Sequence, residues 1–135
     1  MNSENTAPRK TPHSLKVMRS GAGLGLFTND SIKSGKFVIE YHGHILSDNE
    51  AQKKGGKYLF EINSKWTIDG TPRENIARYI NHSCRPNCEV DMRGKRIFVY
   101  ARRGIKPGEE LTYDYGKEYW VDYIKPYGCL CAKCN

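Results

Sequence analysis

The 135-residue sequence lacks any apolar run that approaches the roughly 18 residues of a membrane-spanning helix. Its start, from Met1 to Pro12, contains no apolar core and therefore does not resemble a secretory signal. Common hydrolase motifs are also missing, since neither Gly-x-Ser-x-Gly nor His-Glu-x-x-His occurs and no carboxylate pair is evident. These absences predict an intracellular protein without a membrane span, with cytoplasmic and nuclear or chromosomal locations both open.

The cysteine content does not suit a disulfide framework, because the chain has five cysteines, an odd number, and no secretory signal. Cys129, Cys131 and Cys134 are crowded near the C-terminus, which favours metal ligation. Structural zinc takes four ligands, and Cys84 and Cys88 are the remaining thiols that could supply the fourth. A set of free terminal thiols is the alternative.

Acidic residues are absent between positions 93 and 106 of a chain whose net charge is +7. This stretch carries six basic residues: Arg93, Lys95, Arg96, Arg102, Arg103 and Lys106. Such a cluster could attract nucleic acid or an acidic partner. A solvated pair of strands with basic outward faces is the favoured interpretation, so nucleic-acid contact is not favoured.

The pattern along the chain predicts one mainly β domain with small helical elements. Residues 1–13 are polar, show no periodicity and are predicted to be a disordered lead-in. Short helical elements are predicted at 47–54 and 74–80. Strands are predicted at residues 15–17, 37–41, 58–62, 66–70, 96–101 and 111–115.

The segment 78–87, with the sequence RYINHSCRPN, is the most informative part of the chain. It places Asn81, His82 and Cys84 beside apolar residues, and buried amide and imidazole groups cost several kcal/mol unless hydrogen-bonded. We therefore expect a fixed polar network here. From these residues alone a structural network and a ligand-binding one are equally acceptable, and His82 could be a base, a metal ligand or a satisfied core histidine.

Three tyrosines could serve one site. Tyr113 and Tyr115 alternate and would share one face of a strand, and Tyr41 ends an apolar strand where it could also be a core residue. The Gly23-Leu24-Gly25 turn would let the backbone approach a ligand closely, although glycine pairs more often serve only the turn.

In their order along the chain, the motifs resemble those of the SET-domain protein-lysine methyltransferases. The resemblance runs from about Leu15 to the C-terminus and is carried by the segments 23–25, 40–43, 58–60, Asp69, 78–87 and 108–115. It implies a SET fold of several small β-sheets with a pseudoknot, in which residues 111–115 pass beneath the loop containing Asn81 and His82. It further implies a small stand-alone SET protein, with the SET domain at 14–116 and a post-SET-like segment at 117–135.

The resemblance also implies a cofactor, a substrate and a metal. The cofactor is S-adenosylmethionine and the substrate is a protein that presents a lysine. The implied catalytic residues are Tyr115, Tyr41 and Tyr113. Tyr115 matches the family's catalytic tyrosine, and Tyr41 would lie near the cofactor. Tyr113 matches the position that limits methyl addition, which predicts monomethylation. One zinc ion would be bound by Cys84, Cys129, Cys131 and Cys134, although the Cys-x-Cys-x-x-Cys spacing is shorter than the family's usual one. The implied cofactor-binding residues are Ala22, Gly23, Leu24, Tyr41, Asn81, His82 and Tyr115.

These residues suit methyl transfer to lysine, a reaction that does not require a dedicated general base. A free lysine has a pKa of ~10.4, and an aromatic channel next to a sulfonium would lower it by desolvation and charge repulsion. The alternative is a catalytically silent SET-like module that binds protein or nucleic acid. The joint presence of Asn81, His82 and Tyr115 argues against that alternative.

Overall fold

The computed structural model describes residues 7–21, 23–56 and 58–115. Its elements in chain order are β1 (Leu15–Ser20), β2 (Gly23–Thr28), β3 (Phe37–Tyr41), β4 (His44–Ser47), α1 (Asp48–Lys54), β5 (Leu59–Glu61), β6 (Trp66–Asp69), a 3₁₀ helix (Ile76–Tyr79), β7 (Asn81–His82), β8 (Cys88–Arg93), β9 (Arg96–Ala101) and β10 (Thr112–Tyr113). The predicted mainly β fold is confirmed.

The strands of the described part form four small sheets. Three are antiparallel, with the orders β1-β2, β3-β9-β8 and β4-β6-β5. The fourth is the parallel pair of β7 and β10, two short strands that are distant in sequence. This set of small sheets agrees with the fold that the resemblance implies.

The core lies against β3 and β9, whose apolar runs give the clearest strand signals in the sequence. All five residues of Phe37–Tyr41 are buried, and Ile97 and Val99 of the neighbouring strand are fully covered. Leu111, just before β10, belongs to the same cluster. The core therefore fixes the start of β10 as well as the end of β3, where two of the predicted site tyrosines lie.

The predicted helix at 47–54 is confirmed as α1, and its first residues explain why it forms. Ser47 and Glu50 make a reciprocal capping box, which satisfies two backbone donors at the helix start. No residue of α1 is buried, and the helix is attached at both ends. The Asp48 backbone N–H donates to the Lys65 carbonyl at 3.0 Å, and Lys54 forms an ion pair with the buried Asp69 of β6. None of the helices in the described ranges has the length and apolar character needed to cross a bilayer.

Three local features differ from the predictions. The Gly23-Leu24-Gly25 segment is the first half of β2 and pairs with the end of β1, so it is extended and not a turn. Strand β8 was not predicted, because Cys88–Arg93 mixes apolar, acidic and basic residues on an edge strand. The predicted helix at 74–80 is a shorter 3₁₀ helix.

Residues 7–13, expected to be part of a disordered lead-in, make specific contacts with β3. The backbone N–H of Arg9 donates to the Glu40 carboxylate at 2.8 Å, and His13 Nε2 lies 2.9 Å from the carbonyl oxygen of Phe37. The Arg9 guanidinium also lies 3.9 Å from the centre of the Phe37 ring. This segment thus covers the outer face of the β3-β9-β8 sheet, while the domain boundary near residue 14 stays a prediction.

Candidate functional site

The site forms where β7 and β10 meet as parallel neighbours. Thr112 pairs with Asn81 and Tyr113 pairs with His82. The backbone N–H of Ser83 then donates to the carbonyl oxygen of Tyr113 at 3.2 Å, which extends the pairing by one residue. The polar segment 78–87 and the tyrosine segment 111–115 are therefore in direct contact, as the family resemblance implies.

We call the place where β7 and β10 pair the crossing, and a buried asparagine stabilises it. The side-chain nitrogen of Asn87 donates to the Glu110 carbonyl at 2.8 Å, and its oxygen accepts from the backbone N–H of Thr112 at 2.9 Å. Asn87 is only 3% exposed, so these two backbone groups depend on it for hydrogen bonding. Within the segment 78–87, Asn87 has a structural role that the sequence motif alone did not separate from a ligand-binding one.

Tyr115 lies next to the crossing, and both its hydroxyl and its backbone N–H donate hydrogen bonds. Its hydroxyl donates to the carbonyl oxygen of Ile80 at 2.6 Å, and its backbone N–H donates to His82 Nδ1 at 3.2 Å. Its ring lies 5.0 Å from the Tyr113 ring and 5.4 Å from the His82 ring, centre to centre. The Tyr115 hydroxyl and the Ile80 carbonyl thus place two oxygen atoms together beside aromatic rings.

The aromatic cluster continues from Tyr113 to Tyr41. The Phe60 ring stacks on Tyr113 at 6.0 Å and meets Tyr41 edge-on at 5.1 Å. The Tyr41 hydroxyl donates to the carbonyl oxygen of Tyr58 at 2.6 Å. The structure therefore brings all three predicted tyrosines into one cluster and adds Phe60, which belongs to a predicted strand but was not predicted as a site residue.

Close packing around Tyr41 depends on Gly70 and Asn75, neither of which was predicted as a site residue. A methyl group on Gly70 would overlap the Tyr41 hydroxyl and the Asn75 side chain. Asn75 is fully buried; it accepts from the backbone N–H of His42 at 3.1 Å and donates to the Gly70 carbonyl at 3.1 Å. Only the three-dimensional proximity of these residues reveals their role.

Asn81 links the crossing to β2. Its side-chain nitrogen lies 3.0 Å from the Leu24 carbonyl, 2.8 Å from a Glu110 carboxylate oxygen and 3.3 Å from the Ser20 hydroxyl. A methyl group on Gly25 would overlap the Glu110 carboxylate, so a larger residue here would displace that carboxylate. Within residues 7–21, 23–56 and 58–115, all hydrogen bonds of the Asn81 side chain use its nitrogen, which leaves its oxygen available to a ligand.

The backbone beside Asn81 is accessible. Leu24 is 49% exposed, and the neighbouring Gly23 adopts a φ of 107°, a conformation that favours glycine. Predicted cofactor residues Gly23, Leu24 and Asn81 are therefore adjacent at an open edge of β2. Ala22, predicted with them, lies outside the described residues.

His82 is buried and its ring is held from both sides. Because Nδ1 accepts the Tyr115 backbone N–H, the neutral ring carries its proton on Nε2, which lies 3.5 Å from the Cys84 sulfur. Asp114 also has an oxygen 3.8 Å from Nδ1. This arrangement makes His82 a residue that orients Tyr115 and Cys84.

The two described cysteines differ in their chemistry. Cys84 is exposed, whereas burial raises the pKa of the Cys88 thiol to about 12 and disfavours its thiolate. Metal ligation requires the thiolate, so Cys84 is the better candidate of the two. Residues 7–21, 23–56 and 58–115 contain no group of three potential metal ligands, and Cys129, Cys131 and Cys134 lie outside these ranges.

Several members of the basic cluster at 93–106 have partners within the chain. Three arginines form ion pairs: Arg93 with Asp91 at 2.8 Å, Arg96 with Glu40 at 2.7 Å and Arg103 with Glu109 at 3.1 Å. The Lys95 amine lies 3.9 Å from the centre of the Trp66 ring. Much of this charge is therefore compensated locally, which supports the interpretation of a solvated strand pair.

Comparison with known proteins agrees with this geometry. The SET-domain family model matches residues 23–116. The chain is 43% identical over 122 residues to a fission yeast (Schizosaccharomyces pombe) protein named "Histone-lysine N-methyltransferase, H3 lysine-4 specific", covering 81% of this chain and 13% of that protein. It is 39% identical over 125 residues to "Histone-lysine N-methyltransferase ASHH1" of Arabidopsis thaliana, covering 83% of this chain and 25% of the relative.

A third relative is "Histone-lysine N-methyltransferase set-2" of Caenorhabditis elegans, which is 40% identical over 132 residues, covering 87% of this chain and 9% of that protein. The chain spans less than two thirds of the length of each of these relatives.

Proposed function

This chain belongs to the SET-domain family, and on that premise we propose that it transfers a methyl group from S-adenosylmethionine to the side-chain amine of a lysine in a protein. The observation that carries the proposal is the crossing of β7 and β10, which joins Asn81 and His82 to the Tyr113–Tyr115 segment. The printed names of the relatives refer to histones, so histone tails are the first substrates to test and a nuclear or chromosomal location is the first to examine.

The described residues fit the implied cofactor. S-adenosylmethionine carries an amino acid end and ribose hydroxyls, which need both donors and acceptors, together with an aromatic adenine ring whose faces suit apolar packing. The available Asn81 side-chain oxygen, the open space beside Gly23 and the half-exposed Leu24 side chain supply these features on one edge. When bound, the cofactor supplies an electrophilic methyl group on a sulfonium.

The aromatic cluster would prepare the lysine amine. Rings of Tyr41, Phe60 and Tyr113 would desolvate an incoming ammonium, which lowers its pKa from the ordinary ~10.4 and favours the neutral nucleophile. The paired oxygens of Tyr115 and Ile80 would orient the amine by hydrogen bonding. Such positioning can contribute ~7–11 kcal/mol to lowering a barrier. Because the lowered pKa lets the ammonium release its proton to water before transfer, no dedicated general base is needed.

Methyl transfer can be tested directly with labelled S-adenosylmethionine. We expect label on lysine when the protein is incubated with histone peptides or a protein lysate, with the modified site mapped by mass spectrometry. Cofactor binding without transfer to any of these substrates would support the silent-module alternative. Absence of both cofactor binding and transfer would contradict the assignment of this site.

The product state is expected to depend on Tyr113. Its ring stacks on Phe60 and lies beside Tyr115, so its hydroxyl could hold a water molecule that crowds the amine. We expect mainly monomethyl product from the wild type and a larger share of di- and trimethyl product from Tyr113→Phe, by mass spectrometry. Mainly trimethyl product from the wild type would refute this prediction.

The zinc site is part of the proposal and involves Cys84 with Cys129, Cys131 and Cys134 of the post-SET-like segment at 117–135. Its support is the exposure of Cys84 and the crowding of the three terminal cysteines. We expect about one zinc per chain by elemental analysis and a clear loss in Cys84→Ser. Cys88→Ala is the matched control, because its buried thiol has a raised pKa. Equal zinc content in all three proteins would contradict this ligand set.

A further inference from the structure

Arg78 of the 3₁₀ helix is inserted between two tyrosine rings. Its guanidinium lies 4.7 Å from the centre of the Tyr58 ring and 4.7 Å from the centre of the Tyr79 ring. It also donates to the Thr71 carbonyl and, at 2.5 Å, to the Tyr79 hydroxyl. One side chain thus joins the start of β5, the turn after β6 and the 3₁₀ helix.

The hydrogen bonding of Arg78 points to the importance of its contacts with the two tyrosine rings. Among the described residues, its Nε is the only buried side-chain nitrogen or oxygen without a hydrogen-bond partner. A buried donor left unpaired is costly, so an arrangement that keeps one needs a compensating contact. The two ring faces provide that contact, and they require the planar guanidinium that lysine lacks.

Tyr58 connects Arg78 to Tyr41, a tyrosine of the aromatic cluster. Its carbonyl oxygen accepts from the Tyr41 hydroxyl at 2.6 Å and from the Gly70 backbone N–H at 2.8 Å. Tyr58 is therefore held through its ring by Arg78 and bound through its main chain to Tyr41. A shift of the Tyr58 ring would move the acceptor that fixes the Tyr41 hydroxyl.

We propose that Arg78 is a positioning residue of the methyl-transfer site, which acts through Tyr58 to hold the Tyr41 hydroxyl beside the aromatic cluster. This inference deepens the proposed function and rests on it for its effect on turnover. Its geometric part, the coupling of Arg78 to Tyr41, can be measured whether or not the protein proves to be an enzyme.

The kinetic test uses Arg78→Lys, with the exposed Arg73→Lys as the matched control. We expect kcat to fall about tenfold to a hundredfold in Arg78→Lys, as is typical when a site is displaced by a fraction of an ångström to 1 Å, with KM for S-adenosylmethionine unchanged. Arg73→Lys should behave like the wild type. In a Tyr41→Phe background, Arg78→Lys should cause no further loss, because both changes disrupt one chain of contacts. Independent, multiplying losses would overturn the proposal.

The second test does not depend on activity. With tyrosine labelled at ¹³Cζ, the Tyr41 signal is assigned as the one that disappears in Tyr41→Phe. We expect this signal to shift in Arg78→Lys and in Tyr58→Leu, which keeps the main-chain carbonyl but removes the stacked ring, and to stay in place in Arg73→Lys. If Arg78→Lys fails to fold, Tyr58→Leu decides alone. An unmoved Tyr41 signal in a folded variant would overturn the coupling, even if the protein methylates nothing.

Discussion

Replacing Tyr115 with phenylalanine is expected to remove most methyl transfer while leaving the fold intact. The variant keeps the ring that packs against Tyr113 and His82 but loses the hydroxyl that bonds to the Ile80 carbonyl at 2.6 Å. Loss of one such hydrogen bond costs about 1 kcal/mol of stability. The effect on kcat should be about a hundredfold or more, because the amine loses a group that orients it.

The control for this prediction is Tyr100→Phe. Tyr100 lies on β9 and its ring meets Phe37 on the outer face of the sheet, away from the aromatic cluster of the site. This variant should retain wild-type turnover, and both variants should unfold within a few degrees of the wild type. Wild-type turnover of Tyr115→Phe would show that Tyr115 is not the catalytic tyrosine.

Replacing Asn87 with alanine is expected to cause the largest loss of stability among single changes at the site. The substitution leaves the Glu110 carbonyl and the Thr112 N–H without the side chain to which they bond. Each buried group left unpaired costs about 1–3 kcal/mol, so a loss of about 2–5 kcal/mol in the free energy of unfolding is expected. Because these bonds anchor the backbone at the start of β10, which pairs with β7, methyl transfer should fall with stability.

Urea denaturation provides the measurement, with the slope compared between proteins to confirm that the unfolding transition is unchanged. Asn29→Ala is the control, since the Asn29 side chain bonds to Ser14 at an exposed position. Asn87→Asp keeps an acceptor for Thr112 but cannot donate to Glu110, so it should also be destabilised. An Asn87→Ala protein within about 0.5 kcal/mol of the wild type would contradict the proposed role of this side chain.

Features set by short-range rules could be predicted from the sequence. The apolar runs of β3 and β9 predict buried strands, and the Ser47–Glu50 spacing predicts the start of α1. The alternation of Tyr113 and Tyr115 predicts that their rings lie together, and they are 5.0 Å apart, although β10 covers only Thr112–Tyr113 of the predicted strand. In these cases the preference of a few neighbouring residues and the tertiary structure agree.

Features that depend on distant partners could not be predicted from the residues themselves. Gly70 and Asn75 resemble ordinary turn residues, and only their packing on Tyr41 and His42 gives them a role. Strand β8 forms because it pairs with β9. The mixed composition of β8 does not by itself predict a strand. The parallel register of β7 and β10 likewise came from the family resemblance and not from periodicity.

The late position of β10 also bears on how the protein acquires its site during folding. Thr112 pairs with Asn81 across a long intervening stretch that includes β8 and β9. Non-local pairings of this kind require loop closure before any stabilising contact forms, and they make folding slow compared with that of helical proteins. On the ribosome, the nascent chain cannot assemble the tyrosine cluster until residues 110–115 have emerged. We therefore expect catalytic competence to appear only once β7 and β10 have paired.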